Sequence, residues 1–184
     1  MRHAGKPAAW PLPLAVSVNV SPARLRSGDL AQHATDILAR TGLDPSRLSF
    51  ELSERILFDD EPDAITSLAD LAATGVGLAL DDFGAGYTSL GHLRQLPLTQ
   101  LKIDRSLVTA LGNHDDDSPI VAAVISFAHA LGLSVTAEGI ERPNQLKRLI
   151  NLGCEYGQGF LFSPPLILRS PDNPGASSAA QRRS

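Results

Sequence analysis

Gly77-Leu78-Ala79-Leu80-Asp81-Asp82-Phe83-Gly84-Ala85-Gly86 is the stretch on which the fold turns. A short apolar run meets two adjacent carboxylates and then a glycine-containing loop. Other apolar runs finish the same way, on Asn19, Glu51, Lys102 and Glu138, and a weaker one leads to Gln158. From Asn19 to Gln158 the successive intervals are 32, 30, 21, 36 and 20 residues. A strand with its crossover helix and return strand takes roughly 30 residues or more. If the strands are parallel, their carboxyl ends share one side of the domain, where α/β folds place their sites.

Working outward, strands are expected at 14–20, 48–52, 77–80, 101–103 and 133–137, with a last short one at 159–162. Helices are expected at 30–40, 62–73, 118–131 and 143–152, closed by Gly42, Gly75, Gly132 and Gly153. Pro143 opens the last of them. This alternation implies a parallel sheet. Period 2 then sorts the side chains. Ser17, Ser49, Gly77, Ala79, Ser134 and Thr136 face with the polar strand ends, while Val16, Val18, Leu48, Phe50, Leu78, Leu80 and Val135 face away. One bulky face and one small face suit a closed barrel better than an open doubly wound sheet. The fold class expected is therefore α/β, an incomplete TIM-type (β/α) barrel. A full barrel has eight strands in about 250 residues; about six are counted here, and the missing units are expected to be N-terminal.

The chain has 184 residues, 43% of them hydrophobic and 20% charged, with a net charge of −4. That is one ordinary globular domain by length. No basic excess points to a nucleic-acid polymer or an anionic membrane. A small phosphorylated ligand is still allowed, because metals can supply positive charge locally. The single cysteine, Cys154, reads as a small buried hydrophobe, and the lack of any disulfide partner suggests a reducing, cytoplasmic compartment. No apolar run approaches the roughly 20 residues of a membrane span. The start is broken by Pro11 and Pro13, unlike a signal peptide. Residues 1–13 read as irregular, and 169–184, rich in Ser, Pro and Ala, as a disordered tail.

Asp81 and Asp82 would point to opposite faces of a continuing strand. The nearby glycines suggest that the strand stops there, so that both acids face one site. Acids so close raise each other's pKa, and a bound cation relieves the repulsion. Oxygen ligands without Cys or His select a hard ion such as Mg2+ or Mn2+. Asn19 would add a neutral oxygen, and Glu51 and Glu138 further carboxylates. So many acids exceed the needs of one ion, and a pair bridged by Asp81 is plausible. Lys102 would stabilise a phosphate or orient water. Each has a plainer alternative: Asp81-Asp82 as a turn and helix cap, Asn19 to Pro22 as a turn, Lys102 as the partner of Asp104 on its own strand, Glu51 and Glu54 as a helix-opening box. Glu54 is expected to support the loop around Gly84 and Gly86, and Glu141 to support the site or open the next helix.

Jointly, Val18-Asn19-Val20-Ser21, Glu51-Leu52-Ser53-Glu54, Asp81-Asp82-Phe83-Gly84-Ala85-Gly86-Tyr87, Leu101-Lys102-Ile103-Asp104-Arg105, Ala137-Glu138-Gly139-Ile140-Glu141 and Gly157-Gln158-Gly159-Phe160 resemble the EAL family of bacterial cyclic di-GMP phosphodiesterases. The resemblance implies a barrel that cuts cyclic di-GMP to linear pGpG with two Mg2+ or Mn2+ ions, and makes 14–168 a partial EAL domain. It implies that Asn19, Glu51 and Asp81 hold one ion and that Asp81 and Asp82 reach the second. Glu138 would lie near the ions and the attacking water. Lys102 would touch that water or the phosphate, Gln158 would line the site, and Glu54 would brace the loop from Phe83 to Ser89. It is compatible with a homodimer and with upstream sensor or GGDEF-type domains. The Glu-Ala-Leu signature itself does not occur in the chain. In the family its glutamate is a metal ligand, so either hydrolysis or a non-catalytic binding or interaction role is expected.

Overall fold

The computed structural model describes residues 14–54, 62–85, 93–111 and 118–164. Six strands form one sheet in chain order: β1 (Val16–Val20), β2 (Leu48–Ser53), β3 (Gly77–Phe83), β4 (Gln100–Ile103), β5 (Ser134–Ala137) and β6 (Tyr156–Gly157). Every neighbouring pair is parallel. Helices α1 (Pro22–Arg26), α2 (Leu30–Thr41), α3 (Pro62–Ala73), α4 (Arg105–Ala110), α5 (Ser118–Ala130) and α6 (Pro143–Asn151) fill the connections. The α/β expectation and the count of six strands are both met, and the sheet is open. Expectations for residues 1–13, for the loop beyond Ala85 and for the tail lie outside the described residues.

The alternation along each strand decides which face carries the core. On β2, Leu48, Phe50 and Leu52 are buried, and Ser49, Glu51 and Ser53 between them are half-buried. The bulky set meets the helices in two clusters. One joins Phe50, Leu52 and Leu78 to Leu25, Leu38 and Leu68 of α1, α2 and α3. The other joins Leu80, Ile103 and Val135 to Val108, Ile125 and Leu149 of α4, α5 and α6. Each fully buried leucine contributes about 2 kcal/mol over its exposed state. The core thus lies on the helix side, and the opposite face is left for polar groups.

Two helices were not expected. Ser21 Oγ accepts a hydrogen bond from the Arg24 amide and Pro22 follows it, so the Asn19 to Pro22 segment starts α1 rather than merely turning. Asp104 caps α4 in the same manner, taking the Ser106 amide at 2.8 Å.

The largest departures from the expected strands are at β3 and β6. β3 runs through Phe83 instead of stopping at Leu80. The last strand is Tyr156–Gly157, not 159–162. After Gln158 the backbone folds onto Ile140: the Ile140 amide donates to Gln158 O at 3.0 Å and the Leu161 amide to Ile140 O at 3.0 Å. A Cβ at Gly159 would collide with the Ile140 backbone, so glycine permits this close approach. Among the described residues no helix is long and apolar enough to cross a membrane.

Candidate metal and substrate site

Asp81 and Asp82 come together through a bulge, not through the end of a strand. Leu80 pairs with Leu101, and Phe83 next pairs with Ile103, so β3 carries one extra residue there. Asp82 takes it up at φ 58, alone among the described non-glycine residues in having positive φ. Aspartate tolerates that region better than most side chains. The glycines downstream were the wrong signal: the strand continues to Phe83, and the bulge turns the second carboxylate to the rim. Carboxylate oxygens of Asp81, Asp82 and Glu138 lie within 4.8 Å of one another.

Lys102 stands at the centre of this rim. Its β4 neighbours Leu101 and Ile103 are fully buried on the helix side, and Lys102, 4% exposed, points the other way. Its Nζ lies 3.0 Å from Glu51 Oε1, 2.8 Å from Asp81 Oδ1 and 2.6 Å from Glu138 Oε1. Gln158 Nε2 donates to the same Glu138 oxygen at 2.7 Å. The structure therefore gathers Glu51, Asp81, Asp82, Lys102, Glu138 and Gln158. Asn19 sits opposite Glu51 in the β1–β2 register and is exposed to solvent. Glu54 is buried just beyond β2.

The plainer alternative for Lys102, a pairing with Asp104, is not what the structure shows: its ion pairs are with Glu51, Asp81 and Glu138. Asp104 Oδ1 is taken by the Ser106 amide and hydroxyl, because the chain enters α4 at that point. Glu141 pairs with Arg105, its carboxylate 3.5 Å from Nη2. One polar residue of this region escaped the sequence reading. Gln145, 1% exposed, accepts the Glu141 and Arg142 amides with Oε1 at 3.0 and 2.9 Å. Glutamine three residues after a helix start is a capping signal, the one cue that could have drawn notice to it.

The electrostatics describe a site with too few positive charges. Burial pushes the Asp82 carboxyl up, and the nearby charges of Asp81 and Asp104 add to it. Burial also raises Glu138, against the hydrogen bond and charge of Lys102. Burial alone would depress Lys102, but its hydrogen bonds to Asp81, Glu138 and Glu51 outweigh that and hold the ammonium protonated. Three carboxylates, Glu51, Asp81 and Glu138, share this one lysine, and Asp82 adds a fourth acid beside them. Oxygen donors with an unbalanced negative charge fit a hard divalent cation, and Asp81, Asp82 and Glu138 are near enough to hold one.

Fold and rim together define an α/β chain of the TIM-barrel type with an acidic site at its strand ends. The chain belongs to the EAL domain family, whose match spans residues 2–165. It is 38% identical over 154 residues to the cyclic di-GMP phosphodiesterase RocR of Pseudomonas aeruginosa, covering 84% of this chain and 39% of RocR. It is 38% identical over 151 residues to MucR of the same organism, a bifunctional diguanylate cyclase and cyclic di-GMP phosphodiesterase, covering 82% of this chain and 22% of MucR. The structure of the PaMucR phosphodiesterase with c-di-GMP superposes with a TM-score of 0.76, over 83% of this chain and 62% of that one. Klebsiella pneumoniae BlrP1, solved with manganese and c-di-GMP, is 32% identical with a TM-score of 0.76, over 82% of this chain and 39% of that one. The chain therefore spans less than half the length of these two curated relatives.

Proposed function

We propose that this chain binds cyclic di-GMP at the acidic rim and hydrolyses it to linear pGpG with two divalent ions, Mg2+ or Mn2+. The observation that carries this reading is the meeting of Asp81, Asp82 and Glu138 within 4.8 Å, beside a buried Lys102. The cyclic di-GMP bound in PaMucR and BlrP1 supports the substrate, and the manganese in BlrP1 supports a divalent cation.

In this reading Asn19, Glu51 and Asp81 would hold one ion and Asp81 and Asp82 would reach the other, with Glu138 beside the ions and the attacking water. Bound ions would supply Lewis-acid activation of water and of the phosphodiester. The chain's own residues do the rest. A water oxygen bonds to phosphorus as the bond from phosphorus to the 3′ oxygen breaks. Glu138, its carboxyl raised by burial, takes the water proton. The departing 3′ oxygen gains its proton from solvent. Lys102 stabilises charge on the phosphate, and Gln158 orients Glu138 through their hydrogen bond. Asp104 and Glu141 act at one remove, by fixing the start of α4 and the turn after β5. The domain assigned to this work is 14–168. A homodimer and attached sensor or GGDEF-type domains belong to the same proposal.

The test is direct. Purified chain with cyclic di-GMP and millimolar Mg2+ or Mn2+ is expected to release pGpG, and chelation to stop it. No pGpG under saturating metal would reject hydrolysis.

A second reading is a cyclic di-GMP-binding or interaction module. One observation favours it: Lys102 already bridges three prospective metal ligands. Binding of the dinucleotide without turnover would select this reading.

A further inference from the structure

The chain leaves the sheet immediately after Ala137, so Glu138 stands on a turn and not on a strand. Its amide is held by Ile103 O at 3.1 Å. Gly139 follows with φ 68, and an added Cβ there would lie 2.5 Å from Arg105 Cγ, so the turn is packed beneath the first residue of α4. Beyond it come two amides, those of Glu141 and Arg142, with no sheet partner. Both donate to Gln145 Oε1. The Gln145 Nε2 donates to Val108 O of α4 at 3.0 Å, across 37 residues of sequence. Arg142 Nη2 adds a bond to Thr109 O at 3.0 Å.

We propose that Gln145 is a positioning residue for the acidic rim: by clamping the turn after β5 to α4, it sets where Glu138 stands relative to Lys102. The inference rests on the metal-site reading above. Helix capping alone requires only the bond to the Arg142 amide. The bond to Glu141 and the long-range bond to Val108 go further, and they join the element that follows Glu138 to the one that follows Lys102. A buried amide with its oxygen doubly engaged is costly to replace by an apolar group, because two backbone donors lose their acceptor. Groups hydrogen-bonded to metal ligands typically cost 10–100-fold in metal affinity when removed, and for Gln145, which acts through the backbone, the lower bound of about tenfold is taken.

The experiment is Mn2+ titration, followed by electron paramagnetic resonance of the free ion, with the wild-type chain and two variants, each also melted without metal. Gln145→Leu is expected to weaken Mn2+ binding about tenfold. Gln145→Glu keeps an oxygen acceptor for both amides but loses the Nε2 donor to Val108 O, so it caps the helix without clamping it to α4 and is expected to weaken Mn2+ binding about tenfold as well. If the leucine variant does not fold, Gln145→Asn, which withdraws the oxygen by one methylene, carries the same expectation of loss. A purely capping role would lower the melting temperature and leave Mn2+ affinity unchanged, which would overturn the proposal. Wild-type Mn2+ affinity in the glutamate variant, which keeps the cap and loses the clamp, would overturn it as well. A wild-type chain that binds no Mn2+ would instead defeat the metal-site reading, and the proposal with it.

Discussion

Lys102 and Gln158 reach the same oxygen. Glu138 Oε1 receives the lysine ammonium at 2.6 Å and the glutamine amide at 2.7 Å. The two donors come from β4 and from the residue after β6, which flank β5 on either side. One carboxylate on the intervening turn is thereby aimed from both directions.

Replacing Glu138 should separate binding from chemistry. Glu138→Gln keeps the shape and the bond partners but removes the base. Turnover of cyclic di-GMP is expected to fall by about 10²–10⁴-fold, the usual contribution of a positioned general base, while dinucleotide affinity changes little. Product analysis alongside calorimetric binding checks this. Full turnover in the variant would remove Glu138 from the chemistry.

Lys102 has a structural share that its chemistry does not explain. Lys102→Met leaves three carboxylates around an apolar chain, and a buried group stripped of its partner costs about 3 kcal/mol. The metal-free variant should melt well below wild type. Excess Mn2+ at about 100 times Kd should return about 2.7 kcal/mol. Unchanged metal-free melting would show that the acids do not depend on the lysine for their neutralisation.

Asp82 stores backbone strain together with an unfavourable charge. A non-glycine residue in the left-handed region costs roughly 1–2 kcal/mol. Asp82→Gly should therefore raise the metal-free melting temperature and abolish turnover. Asp82→Val should abolish turnover and lower the melting temperature. Thermal melts of the two variants side by side decide the matter, and equal stability would show that the bulge is unstrained.

Cys154 gives the pH prediction. Its thiol is pushed from 9.0 up to about 11, chiefly by burial, against a backbone hydrogen bond at Tyr156. Because the folded value lies above the unfolded one, the associated stability is complete below pH 9 and is lost as pH rises toward about 11. Denaturant melts at pH 8 and 10.5 should show a decline that Cys154→Ala lacks. Alkylation of the native chain at pH 8 should be slow. Fast labelling at that pH would mean that the thiol is open to solvent.

The strand-end acids were legible because burial imposes period 2 on a strand. Leu48, Phe50 and Leu52 announce a buried face, and whatever alternates with them and ends the run must face the rim. Glu51 and Lys102 follow from that rule alone, and Glu138, one residue past β5, needs the turn as well. Asp104 did not, because a carboxylate two residues past Lys102 reads equally as a strand neighbour or a helix cap, and only the turn into α4 decides. Gln145 was hidden for a related reason. In sequence it is a polar residue on a polar helix start, and its burial depends on α4, whose Val108 lies 37 residues away.

What the amino-acid order determined alone is the succession of parallel strands and the identity of the polar groups at their ends, since local periodicity and turn chemistry suffice for both. The tertiary structure decided how those groups meet. The extra residue in β3 that swings Asp82 to the rim, the single ammonium shared by Glu51, Asp81 and Glu138, and the clamp from Gln145 to Val108 each require distant segments in contact. Pairing register and long-range hydrogen bonds are properties of the packed sheet and leave no local trace in the chain.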